Sequence, residues 1–106
     1  MVLKKIIFVI VICFFQTMLS QDYKIMTYNI RYDNVNDGEN QWSKRKGFLS
    51  NQIAYNNPDI FGIQEGLHHQ VKYLDSTFTN YKYIGVARDD GKTKGEYSAI
   101  FYNKEK

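Results

Sequence analysis

Two segments, Lys24 to Arg31 and Pro58 to Glu65, constrain this chain more than anything else in it. Each is a run of apolar and β-branched residues that closes on polar side chains a buried strand would not choose: Asn29 in the first, Gln64 and Glu65 in the second. A carboxylate at the end of a buried strand is costly unless it is paired or binds a metal. Two such strand ends point to one polar site at one edge of a sheet, where open α/β sheets hold their ligands.

The 106 residues allow at most one domain. Residues 1–20 have the layout of a secretory signal peptide: basic Lys4 and Lys5, an unbroken apolar run from Ile6 to Phe15, and a more polar exit to Ser20. A membrane span needs roughly 20 apolar residues, so this run is too short, and no stable span is expected once the leader is cleaved. An uncleaved anchor is the alternative. Cys13 lies inside the run, where a lipoprotein cysteine would end it. The mature chain, residues 21–106, is therefore expected to be secreted or periplasmic. It carries no cysteine and no disulfide, and the thin core of so short a domain points to further chain in the same fold. The net charge of +3 falls to +1 without Lys4 and Lys5. With no basic run beyond Lys44 to Lys46, nothing here demands a nucleic-acid partner.

Along the mature chain the pattern predicts a strand over Tyr23 to Ile30, apolar on both faces and so central. A polar loop follows over Asp33 to Asn40, then a helix from Lys44 to Tyr55 capped by Ser43. Pro58 stops it. A second strand over Asp59 to Gln64, a helix over His69 to Phe78, a strand over Tyr81 to Ala87, a charged turn over Asp89 to Gly95 and a strand over Tyr97 to Tyr102 complete the chain. This β-α-β-α-β-β order fits a mixed sheet with helices on its face.

The strand ending at Arg31, the Trp42-x-x-Arg45 helix start and the Pro58-Asp59-Ile60-x-Gly62-x-Gln64-Glu65 element together resemble the endonuclease/exonuclease/phosphatase family, the deoxyribonuclease I-like enzymes. The resemblance runs from about Tyr23 to the last residues. It implies a four-layer α-β-β-α sandwich of which residues 21–106 supply the amino-terminal half, with the inner sheet face left as exposed apolar surface. It implies a phosphoesterase that uses Mg²⁺, or Mn²⁺, to neutralise charge on the transferring phosphoryl group while water attacks in line.

By that resemblance Glu65 is the metal ligand and Asn29 supports the metal. The alternative for Glu65 is a surface carboxylate or a partner of Arg31, and for Asn29 an amide that satisfies backbone where the strand ends. Arg31 contacts phosphate or pairs with a carboxylate. Arg88, Lys92 and Glu96 lie near the substrate mouth, with Arg88 and Lys92 facing phosphate and Glu96 unassigned; an ordinary hairpin turn is the competing reading of Asp89 to Gly91. Trp42 and Arg45 serve structure. Asp33 to Lys44 begins like a calcium loop but places Val35 and Lys44 where oxygen ligands belong, and His68 and His69 read as surface residues of a helix start.

The family's Asp-x-Asn and late Asp-His elements do not occur in this sequence. The chain is accordingly expected to be the amino-terminal part of a longer enzyme and to be inactive alone. Nucleic acid, a phospholipid head group and a sugar or inositol phosphate remain open as substrates. A secreted binding protein that kept the fold and lost catalysis is the alternative function.

Overall fold

The computed structural model describes residues 2–16 and 22–106, with side chains described for 2–9 and 22–106. The leader cut at Ser20 and the side chain of Cys13 lie outside these residues. Helix α1 (Val2–Gln16) carries the apolar run from Ile6 to Phe15, and its described apolar side chains are exposed. Among the described residues no helix is long and apolar enough to cross a membrane.

Residues 22–106 alternate β1 (Ile25–Asn29), α2 (Trp42–Asn56), β2 (Ile60–Gly66), α3 (His68–Thr77), β3 (Tyr81–Ile84) and β4 (Tyr97–Asn103). The four strands form one sheet in the order β1-β2-β4-β3. β1 and β2 are parallel, with Asn29 opposite Gln64, while β4 runs antiparallel to both β2 and β3. The mixed sheet and the element order agree with the sequence pattern.

One face of the sheet carries the core. Period-two alternation sends Phe61 and Ile63 of β2 and Ala99 and Phe101 of β4 to that face. Leu49 and Ile53 of α2 and Val71 and Leu74 of α3 join them in a single buried cluster. Phe61 stacks on Phe101 at 4.7 Å between ring centres and meets the edges of Phe78 and Tyr81 at 5.7 and 5.2 Å. The opposite face is open, and Ile25, Ile100 and Ile84 stand on it 72, 51 and 66% exposed. Helices thus cover one side only, as expected for half of a sandwich.

Three local expectations are corrected. β1 is an edge strand of the described sheet, with Ile25, Thr27 and Asn29 exposed and Met26 and Tyr28 half-buried. Apolar residues on both sides of a strand speak of cover for its faces, not of neighbours in the sheet plane. Helix α2 starts at Trp42 with Gln41 as its cap, so Ser43 lies inside the first turn. The 3₁₀ turn Gly38–Asn40 leads the backbone in, Gln41 N–H bonding Gly38 O at 3.2 Å and Lys44 N–H bonding Gln41 O at 3.0 Å, which leaves no role for a serine cap. β3 stops at Ile84, because Gly85 takes a φ of 151° so close to β4 that a Cβ would lie 2.9 Å from Ala99 Cα. Only the Ala87–Tyr97 bridge continues the pairing.

Candidate active site

Glu65 sits where β2 loses its register with β4, between Ile63 and Gly66. Its φ is 64°, and Arg31, two residues past the end of β1, has a φ of 57°. Left-handed backbone costs a non-glycine residue roughly 1–2 kcal/mol. Two such residues at adjacent strand ends mark the edge as one the surroundings must hold in shape. Gly66 behind Glu65 is packed so tightly that a Cβ would meet Ile30 and Ile63 at 3.2 Å and Val71 at 3.3 Å. Ile30 N–H bonds Gln64 O at 3.1 Å and carries the parallel pairing past Asn29.

The predicted residues divide into two groups. Gln64 and Glu65 at the end of β2 meet Arg88, Glu96 and Ser98 from the β3–β4 connection and β4 around one cleft of about 480 Å³. Arg88 Nη1 lies 3.3 Å from Glu96 Oε2, and the two backbones face each other through Arg88 N–H to Glu96 O at 3.0 Å. The Glu65 carboxylate makes no hydrogen bond or ion pair with the described residues, although its charge is felt at Arg31. Asn29 and Arg31 lie beside this cleft and do not line it. Asn29 Oδ1 accepts the Arg31 backbone N–H at 2.9 Å. The Arg31 guanidinium grips Asp37 at 2.9 and 3.0 Å, and that carboxylate holds the guanidinium's pKa above its ordinary value. Of the two roles open to Arg31, partner of a carboxylate is the one these contacts display. The backbone carbonyl of Lys92 accepts from the Tyr97 hydroxyl at 2.9 Å.

Arg45 is the structural residue the sequence indicated. It lies over the Trp42 ring at 5.3 Å and donates to the carbonyls of Asn40, Ile30 and Arg31 at 2.8, 2.5 and 2.6 Å. His68 is not a bare surface residue. The Tyr97 hydroxyl gives its proton to Lys92 O, so His68 Nδ1 donates to that hydroxyl at 2.8 Å. Burial raises the Tyr97 hydroxyl's pKa. His69 Nε2 pairs with Asp33 at 2.8 Å. Sequence reasoning missed Gln70, which is fully buried beneath this edge. Its one signal was a glutamine at the third position of a helix start, half of a capping box whose first residue, Leu67, has no hydroxyl.

Among the described residues no group of three or more His, Cys, Asp or Glu gathers to hold a metal. Glu65, with Glu96 engaged by Arg88 and an amide oxygen of Gln64 nearby, fits a hard cation that keeps waters and takes substrate oxygens, as Mg²⁺ does. It does not fit Zn²⁺, which asks for nitrogen and sulfur. A second concavity, about 490 Å³, lies at the opposite end of the sheet. Its buried carboxylate, Asp59, is engaged by Lys106 Nζ at 2.6 Å and by the Lys24 N–H at 2.7 Å, one contact on each oxygen.

Solved structures share this fold. An endonuclease/exonuclease/phosphatase from Bacteroides vulgatus is 46% identical with a TM-score of 0.79, over 82% of this chain and 33% of that one. A mannosyl-6-phosphatase from Bacteroides thetaiotaomicron is 41% identical with a TM-score of 0.75, over 80% of this chain and 33% of that one. A further endonuclease/exonuclease/phosphatase family protein from the same organism is 42% identical with a TM-score of 0.75, over 79% and 30% of the two chains. The chain therefore spans about a third of the length of the structures it matches. No family model matches it, and no curated protein does.

Proposed function

The chain belongs to the endonuclease/exonuclease/phosphatase family, and from that premise we propose that it supplies the cation-binding edge of a secreted or periplasmic phosphoesterase. The observation that carries this reading is the convergence of an unpaired Glu65 with Arg88 and Glu96 on one cleft. Glu65 would hold Mg²⁺ or Mn²⁺, with Asn29 in support. When bound, such an ion neutralises charge on the phosphoryl oxygens and lowers the barrier to in-line attack by water. Arg88, released in part from Glu96, would bind a phosphate oxygen. The resemblance assigns activation of the water to Asp-x-Asn and Asp-His elements that this sequence does not contain. The activity is thus proposed for the full-length protein, and residues 21–106 alone would be inactive.

The cleft favours a small phosphate ester of a polyol, such as a sugar phosphate. Its lining holds two carboxylates against one guanidinium, and that guanidinium is already paired. A polyanion such as duplex DNA asks instead for a lysine- and arginine-rich surface. Glu96, Ser98 and Gln64 are hydrogen-bonding groups suited to hydroxyls. The mannosyl-6-phosphatase named above supports the same class.

The test is hydrolysis by the full-length protein with Mg²⁺ or Mn²⁺, across sugar phosphates, inositol phosphates, phospholipids and DNA. Release of phosphate from sugar phosphates, abolished in Glu65→Gln, is the expected result. If no phosphate ester is cleaved, or if Glu65→Gln is as active as the parent, the enzyme reading falls and the non-catalytic binder takes its place.

A further inference from the structure

Gln70 is 0% exposed, yet none of its side-chain hydrogen bonds goes to another core side chain. Oε1 accepts from Asp33 N–H at 3.0 Å and from Leu67 N–H at 2.9 Å, and Nε2 donates to Arg31 O at 2.9 Å. Those partners lie on the two segments that leave the candidate site. Arg31 follows Asn29 by two residues, and Leu67 follows Glu65 by two. One amide, planted in the first turn of α3, therefore joins the exit of β1 to the exit of β2. The second lone pair of Arg31 O is taken by Arg45 Nη2 at 2.6 Å, so that carbonyl is held from both sides.

The segments so joined are the ones in left-handed backbone, with φ of 57° at Arg31 and 64° at Glu65. Such conformations persist only where the surroundings over-determine them. Oriented amide bonds can do this, since they fix direction as well as distance. A leucine of similar size would fill the same space and orient nothing.

We propose that Gln70 is a positioning residue for the candidate centre, locking together the two strand ends that present Asn29 and Glu65. The proposal rests on the reading of Glu65 as a cation ligand. Groups hydrogen-bonded to metal ligands are worth about 10–100-fold in metal affinity when removed, and Gln70 would act on the same ligands through the backbone that carries them.

The test measures Mn²⁺ binding by electron paramagnetic resonance, with kcat, KM and thermal melting, on the full-length protein. The variants are Gln70→Leu, Gln70→Glu, Leu74→Ala and Glu65→Gln. Gln70→Leu removes all three bonds. Gln70→Glu keeps an oxygen for Asp33 and Leu67 and loses the donor to Arg31. Leu74→Ala weakens the same helix one turn further on, in the core, without touching these bonds.

Mn²⁺ affinity should fall about 10–100-fold in Gln70→Leu and by a smaller factor in Gln70→Glu, with kcat falling more than KM rises. Leu74→Ala should melt earlier and bind Mn²⁺ as the parent does. Parental Mn²⁺ affinity in both Gln70 variants, with Glu65→Gln weakened, would overturn the positioning role alone. Parental affinity in Glu65→Gln would bring down the ligand reading and this proposal with it. Should Gln70→Leu fail to fold, Gln70→Glu decides by the same criterion.

Discussion

Arg31 and Glu65 leave neighbouring parallel strands in the same unfavourable backbone state, with φ of 57° and 64°. Glycine would adopt that state at no cost, and the chain places an arginine and a glutamate there instead. In both cases the side chain has a polar task. Arg31 grips Asp37, and Glu65 lines the cleft.

Glu65 should therefore trade stability against activity. Asparagine tolerates left-handed backbone better than glutamate. Glu65→Asn is expected to raise the stability of the full-length protein by up to about 1 kcal/mol. Hydrolysis should fall about 100-fold or more, in line with the several kcal/mol of charge stabilisation that a bound metal supplies. Thermal melts and turnover of a sugar phosphate, measured side by side, check this. A joint loss of stability and activity would make Glu65 a structural residue.

Arg88 and Glu96 should act on binding more than on turnover. A charge-assisted hydrogen bond to phosphate contributes about 1.5–3 kcal/mol, so Arg88→Ala should raise KM about 10-fold or more. Glu96→Gln removes one of the two carboxylates lining the cleft and frees the arginine. Its KM for a polyanionic ester should fall while that for a sugar phosphate rises. Steady-state kinetics on the two substrates will read this crossover, and parallel shifts would argue against a selective role for Glu96.

Gly85 joins the fold to the cleft. A methyl group there would lie 2.9 Å from Ala99 Cα, a backbone atom that cannot step aside. Gly85→Ala is expected to cost about 2–3 kcal/mol, the upper part of the range for overpacking. Because Gly85 begins the connection that carries Arg88, KM should rise as well. Denaturant unfolding and kinetics of this one variant would separate the two effects.

Most of this edge was legible from residue type and order. Asn29, Gln64 and Glu65 declared themselves as polar ends of apolar runs, whereas Arg88 and Glu96 were placed near the site only by the family resemblance. What the sequence hid is non-local. The Gln70 bonds reach back 37 and 39 residues, and no periodicity reports a contact at that separation. The edge position of β1 was hidden for a related reason: side-chain pattern reports what lies above and below a strand, whereas its neighbours in the plane are set by topology. The start of α2 was missed because backbone bonds from a 3₁₀ turn did the work that a serine side chain advertises.

The end of the sheet away from the site should govern the response to pH. Asp59 accepts from Lys106 Nζ and from the Lys24 N–H, and these contacts hold its carboxyl below the ordinary value of 3.8, with Lys106 the larger cause. Lys106 is held above its ordinary 10.5 by the same pair. A depressed carboxyl contributes stability that is present above the unfolded pKa and is lost as pH falls through the folded one. A raised ammonium contributes below its unfolded pKa and loses that contribution as pH rises through the folded value. Melting temperature should thus be level through neutral pH and decline below about 3.8. Asp90, depressed by the backbone N–H groups of Lys94 and Lys92, adds to the same acid decline. Asp59→Asn should lower the neutral plateau and flatten the acid limb, and Asp59→Asn with Asp90→Asn should flatten it further. An unchanged acid limb in the double variant would show that other carboxylates carry the acid sensitivity.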